Sequence, residues 1–275
     1  MYSIEYLEEL APNTWLRHYL FEKSNIYSEI VDKKILDVGS GTGVFIKRLL
    51  KHTNQVDCLD LSQENLASIK KSHPSVGIIH GNCESLPQIE NSMYDRILCS
   101  GVIEHFRNPK AALGELIRIL KPGGVLYITT SPWPKVTGFI QKRIIAYTVS
   151  CVANDDLDLH WKSMFSSKKH YFYWDENILI EYLEKMKVKL QSKTYSGNIL
   201  VHLFDNILLV IEKLTRKKNN EYNSIICHEY RLKTLPVRIY CSLVLPLIIF
   251  ICRFNNSKLE SYYCLLKFQK KSSNL

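Results

Sequence analysis

Residues 35–43, Ile-Leu-Asp-Val-Gly-Ser-Gly-Thr-Gly, carry more chemical information than any other stretch of the chain. An apolar run takes in Asp37 and passes directly into a loop of Gly39, Ser40, Gly41, Thr42 and Gly43. Glycines there let a ligand lie against bare backbone and adopt torsions that a Cβ resists. A helix expected over Val44–His52 would add unpaired N–H groups at its start. A second carboxylate, Asp60, ends the next apolar run. It stands about 20 residues past Gly39, where dinucleotide folds place the acid that accepts both ribose hydroxyls. The alternative for Asp37 is to cap the loop, and for Asp60 to cap the helix that follows Asp60-Leu61-Ser62. Farther on, Gly101-Val102-Ile103-Glu104-His105 follows another apolar run. His105 there supplies an imidazole, a side chain suited to general-base work.

These groups need a frame that brings them to one edge. Strands are expected at Ile35–Val38, Gln55–Asp60, Val76–His80, Tyr94–Cys99, Val125–Thr130 and Val188–Tyr195, with a last one within Ser261–Phe268. Helices fall between them, including one over Lys110–Leu120 that closes on Lys121-Pro122-Gly123-Gly124. Alternating strands and helices predict an α/β domain, a mostly parallel sheet with helices on both faces. In such sheets ligands bind outside the carboxyl ends of the strands.

The glycine pattern is G-x-G-x-G, not the dinucleotide G-x-G-x-x-G. With Asp37 before it, the loop resembles the S-adenosylmethionine loop of class I methyltransferases. Five blocks in order strengthen this: 35–43, 55–60, 81–87, 100–109 and 121–130. Together they are similar to the type 11 methyltransferase domain, related to quinone-biosynthesis enzymes, across Lys33–Ser131. The resemblance implies a Rossmann-like fold of seven strands and S-adenosyl-L-methionine as cofactor. It implies that Asp37 lies near the cofactor's ammonium and that Gly39, Ser40, Gly41, Thr42 and Gly43 face its amino-acid part. It assigns the ribose to Asp60, with Leu61 beside it, the adenine edge to Asn82 and Cys83, and the methionine part to Gly101 and Val102. The family commonly has aspartate at the position of Asn82, whose carbonyl can still accept from the exocyclic amine. For His105 two roles stay open, catalytic base or cofactor-proximal histidine. In some quinone-pathway relatives the pair at Glu104 and His105 contacts a metal; no metal is expected here. His160 and His170 are alternative bases.

Hydrophobic residues make up 46% of the 275, which excludes disorder. Eight cysteines without a C-x-x-C pair point to buried thiols in a reducing cytosol, and no secretion signal opens the chain. Residues 1–160 are nearly neutral, so the net charge of +9 resides in residues 161–275. A basic excess confined to one part implies an anionic partner, nucleic acid or a bilayer surface. Residues 1–32 read as an N-terminal helical cap, 33–196 with 257–275 as the methyltransferase domain, and 197–256 as an apolar and basic helical insert between strands six and seven. Within it, Ile239–Cys252 is uncharged but too short to span a bilayer. An interfacial hairpin on the inner membrane face and a packed lid both fit. The expected function is methyl transfer, preferably to oxygen, on a small-molecule or lipid-linked acceptor. The alternatives are a silent adenosylmethionine-binding protein and a nucleic-acid methyltransferase. The second of these lacks an N/D-P-P-Y/F motif and a Pro-Cys nucleophile.

Overall fold

The computed structural model describes residues 12–130, 176–196, 250 and 263–272. Among these, Leu20–Thr130, 176–194 and 263–272 belong to one compact unit, and Pro12–Tyr19, Tyr195, Ser196 and Phe250 to another. The insert at 197–256 lies outside the described residues apart from Phe250, as do the segment 131–175 with His160 and His170 and the first eleven residues.

Seven strands form one sheet: β1 (Ile35–Val38), β2 (Val56–Asp60), β3 (Gly77–His80), β4 (Tyr94–Ser100), β5 (Leu120–Thr130), β6 (Val188–Ser196) and β7 (Tyr263–Lys270). Their order is β3-β2-β1-β4-β5-β7-β6. β1 pairs in parallel with β2 and β4, β2 with β3 and β4 with β5, whereas β7 runs antiparallel to β5. All four residues of β1 are buried, as a central parallel strand covered on both faces demands.

The helices are α1 (Pro12–Lys23), α2 (Ile26–Glu29), α3 (Ile46–Leu49), α4 (Gln63–Ser72), α5 (Pro109–Ile119) and α6 (Glu176–Lys185). Ser62 caps α4 by accepting from Asn65 N, and Leu66 and Ile69, three apart, turn inward. In α5, Asn108 caps, Pro109 takes the first turn, and Leu113, Leu116 and Ile117 are buried. Lys270 donates to the carbonyls of Ile117 and Leu120 at 2.8 and 2.6 Å, closing the far end of α5.

Two boundaries differ from the sequence reading by more than two residues. The helix after the glycine loop is a single regular turn, not Val44–His52, because the bonds Ile46 N to Gly43 O, Arg48 N to Phe45 O and His52 N to Leu49 O span three residues. β5 starts at Leu120, ahead of Lys121-Pro122-Gly123-Gly124, since Leu120 pairs with Tyr94 before a register shift.

Packing ties residues 21–29 to the segment after β1 and to the sheet. Phe21 stacks on Phe45 with centroids 4.8 Å apart, and buried Arg48 pairs with Glu22 at 2.7 Å. Glu29 receives both the Tyr127 hydroxyl and the Lys267 ammonium at 2.5 Å, joining α2 to β5 and β7. Burial, then this bond to Glu29, pushes the Tyr127 hydroxyl well above its ordinary range.

Two carboxyls hold the side of the sheet away from the glycine loop and the segment between β3 and β4. Burial alone would raise Asp95, but the Lys34 amide and the Lys121 ammonium hold it below the usual carboxylate range. Arg118 does the same for Glu115, against burial and with help from the Leu86 amide. Because both titrate lower folded than unfolded, the unfolded chain takes up more protons in acid. Their stabilisation is complete above the ordinary carboxylate pKa and disappears as pH falls through the folded values. Glu115→Gln should therefore lower stability at pH 7 by about 1 kcal/mol, with the gap to wild type closing toward pH 3. Thermal melts across that range check it; a pH-independent gap would contradict it.

Candidate functional site

The parallel register brings the carboxyl ends of β1 to β4 into a row, and each loop leaving that row is held by a neighbouring strand. Gly39 N and Ser40 N both donate to Leu59 O, at 2.7 and 3.1 Å. Gly81 N reaches Asp60 O and Gly101 N reaches Thr129 O, each at 3.2 Å. Below Gly101, the buried hydroxyls of Ser100 and Thr129 lie 2.9 Å apart.

Gly39, Gly41 and Gly43 have φ of 61°, 53° and 79°. At Gly39 the requirement is double, since a Cβ would also stand 2.6 Å from Val102 Cγ2. The loop thus rests directly on the turn after β4. Gly41 differs: among the described residues a Cβ there would meet only the Gly39 carbonyl, 3.9 Å away, which leaves its surface open to them. Its amide donates to Asp60 Oδ2 at 2.7 Å, while Ser62 N donates to Oδ1 at 2.8 Å. Asp60 therefore joins the loop to the end of β2, and the cap of α4 is Ser62. A carboxylate has about four lone-pair sites, so two amides leave further acceptor capacity on this half-exposed group. Leu61 next to it is 69% exposed.

Beneath the row the setting is acidic and closed. Asp37 is 1% exposed and Glu104 7%. Burial, followed by the carboxylates of Asp37 and Asp57, drives the Cys58 thiol far above its ordinary range, while the Ser40 hydroxyl opposes the shift. Cys83 is pushed up to about 12 by burial and by Glu84. Cys99 is raised strongly by burial, then by Cys83, Glu104 and Asp37. These three stay thiols at neutral pH, which removes them as nucleophiles.

At the outer part of the row, Asn82 is exposed and its Oδ1 accepts from Glu84 N at 3.0 Å. Ile103–His105 forms a 3₁₀ turn closed by His105 N to Val102 O at 2.9 Å. The turn buries Glu104 and exposes His105. Among the described residues no group of three His, Cys, Asp or Glu could hold a metal ion. Asp37, the residues from Gly39 to Gly43, Asp60, Leu61, Asn82, Cys83, Gly101, Val102 and His105 all lie at or just past the carboxyl ends of β1–β4. The sequence reading passed over Glu84. Its carboxylate takes two amides from the segment after β4, and the signal was a carboxylate two residues beyond an Asn-initiated turn.

The strand order, the glycine loop and the acid at the end of β2 define a class I methyltransferase fold. Residues 36–128 match the family model described as "Methyltransferase domain", the type 11 group. Those residues carry that domain, and the chain is an S-adenosylmethionine-dependent methyltransferase. It is 28% identical over 206 residues to a ubiquinone biosynthesis O-methyltransferase of Rickettsia bellii, covering 70% of this chain and 85% of that protein. A demethylmenaquinone methyltransferase of Renibacterium salmoninarum is 32% identical over 102 residues, 37% of this chain and 43% of that one. The biotin biosynthesis bifunctional protein BioHC of Cellvibrio japonicus is 38% identical over 98 residues, or 35% of this chain, which spans only 19% of that longer protein. Among solved structures, a sarcosine dimethylglycine methyltransferase candidate from Galdieria sulphuraria superposes with a TM-score of 0.57 at 15% identity, over 92% of this chain and 84% of that one. The [4+2]-cyclase SpnF does so at 0.56 and 15%, over 92% and 82%. At such identity the likeness is one of fold, and a cyclase among the neighbours shows that the fold does not dictate the reaction.

The residues present fit the cofactor: the loop has an open backbone surface at Gly41, a carboxylate keeps acceptor capacity beside it, and an apolar side chain stands exposed next to that carboxylate. Asp60→Ala removes the acceptor for two amides and tests the expected ribose contact. It should weaken S-adenosylmethionine binding at least tenfold by calorimetry and cost about 1–2 kcal/mol of stability, with the fold intact. Normal affinity would dismiss Asp60 as the ribose partner.

Proposed function

We propose that this methyltransferase acts on a phenolic or enolic hydroxyl of an apolar ring compound of the quinone-precursor kind, with His105 as the base. The observation that carries this reading is the position of His105. It is exposed on the turn after β4, and Val102 of the same turn lies against Gly39 of the glycine loop. Imidazole and loop thus share one edge of the sheet. The rickettsial relative's name, an O-methyltransferase of ubiquinone biosynthesis aligned over 70% of this chain, supports oxygen as the acceptor atom.

When bound, S-adenosylmethionine supplies an electrophilic methyl group. The work of the chain is to position the two molecules and exclude water. In this reading Asp60 accepts from the ribose hydroxyls, Leu61 covers one side of the adenine, and Asn82 and Cys83 meet its edge. Asn82 Oδ1 already takes the Glu84 amide and keeps a second lone pair. Asp37 balances the ammonium, and Gly39–Gly43 with Gly101 and Val102 border the methionine part. His105 withdraws the acceptor's hydroxyl proton onto a ring nitrogen as the oxygen becomes nucleophilic.

The acceptor's lipophilic character gives a role to the sequence 197–256. Its uncharged run Ile239–Cys252 lies within the basic third of the chain, which supports peripheral contact with an anionic bilayer. Among the described residues no helix is long and apolar enough to cross a membrane.

Mass spectrometry after incubation with S-adenosylmethionine and prenylated catechols or hydroquinones should find a methyl ether; a carbon-methylated ring would reject the O-methyl reading. His105→Ala should lower kcat by roughly 10²–10⁴ while S-adenosylhomocysteine binds within about twofold of wild type. An undiminished kcat would remove His105 as the base. Replacing 199–256 with a short linker should abolish sedimentation with phosphatidylglycerol vesicles, and unchanged co-sedimentation would refute the membrane role.

A further inference from the structure

Glu84 lies in the loop after β3, yet its side chain serves the loop after β4. Its Oε1 accepts from Arg107 N at 2.6 Å and from Asn108 N at 3.0 Å. Both amides lie just beyond the turn that presents His105. The base on which Glu84 stands is itself fixed. Asn82 Oδ1 takes the Glu84 amide at 3.0 Å, Asn82 O takes Ser85 N at 3.0 Å, and Leu86 N donates to Glu115 at 2.7 Å. Arg118 adds a bond to the Leu86 carbonyl at 2.8 Å. On the receiving side, Asn108 Oδ1 accepts from Ala111 N at 3.1 Å, so the clamped segment continues into α5 without slack.

We propose that Glu84 is a positioning residue that ties the adenine-side loop at Asn82–Leu86 to the acceptor-side segment at Gly101–Asn108, so that occupancy of the first sets the placement of His105 in the second. This rests on the functional reading above for the identity of the two sides. The physical basis is that an ionised acceptor binds two amides at once, and charge-assisted bonds are about twice as strong as neutral ones. A carboxylate near the start of α5 also suits the helix dipole. If that were its whole role, Glu84 would add stability and leave the chemistry alone.

Three variants separate these cases. Glu84→Gln keeps a neutral acceptor of the same shape, Glu84→Ala removes it, and Glu84→Asp shortens its reach. Backbone hydrogen exchange of the ligand-free full chain should show the Arg107 and Asn108 amides opening at least tenfold faster in Glu84→Ala, with Glu84→Gln intermediate and the β4 amides unchanged. Adding S-adenosylhomocysteine should slow exchange at 107–108 in wild type and lose that effect in Glu84→Ala, even at saturating ligand. In turnover, kcat should fall by roughly tenfold in Glu84→Ala, while KM for the acceptor changes by less than about threefold and Glu84→Gln recovers most of the rate. Unchanged exchange at 107–108 in ligand-free Glu84→Ala would overturn the clamp. Ligand protection at 107–108 that survives in Glu84→Ala, or a lowered melting temperature with wild-type kcat, would overturn the coupling. Failure of wild type to bind S-adenosylhomocysteine would instead sink the cofactor assignment, and the ligand-free comparison would still decide the clamp.

Discussion

One carboxylate holds the working edge of this protein together. Asp60 accepts from Gly41 on one oxygen and from Ser62 on the other, so the end of β2, the glycine loop and the start of α4 are fixed relative to each other. Without that link the loop would keep the Leu59 carbonyl and its packing on Val102, and its left-handed glycines would have more alternatives to lose on ordering. The group that the functional reading assigns to the ribose therefore also builds the loop beside it. On that reading binding and architecture draw on the same two oxygens, which have lone pairs enough for both.

A second level of organisation lies in how neighbouring loops lean on each other. Val102 occupies the space that a Cβ at Gly39 would need, and the Glu84 carboxylate crosses from one loop to the next. The edge is a chain of mutual supports running from β3 to β4. Beneath it, three thiols held protonated by burial and by nearby carboxylates provide compact apolar filling with no reactive thiolate.

Much of this was legible in the sequence, and for identifiable reasons. Strand positions followed from short apolar runs ending in glycine or acid, because a strand buried on both faces has almost no freedom in composition. The place of the glycine loop and of Asp60 at the end of β2 was readable because loop glycines and a strand-terminal acid carry local signatures. Boundaries were less so. The turn after the glycine loop looks like a full helix by its apolar spacing, yet three-residue bonds close most of it. Lys121-Pro122-Gly123-Gly124 looks like a break, yet the pairing of Leu120 with Tyr94 recruits it to the start of β5. The partners of Glu84 were invisible because they are backbone amides more than twenty positions away, and amides leave no mark on the sequence of a partner.

The place of β7 has a corollary. β6 and β7 are hydrogen-bonded neighbours in the sheet although residues 197–262 separate them in sequence. Chain closure grows only logarithmically more costly with length, about 0.6 kcal/mol for each doubling. The sheet is therefore nearly indifferent to how much polypeptide is spliced between those two strands. A change of length or sequence between β6 and β7 therefore leaves the edge on β1–β4 little constrained by it.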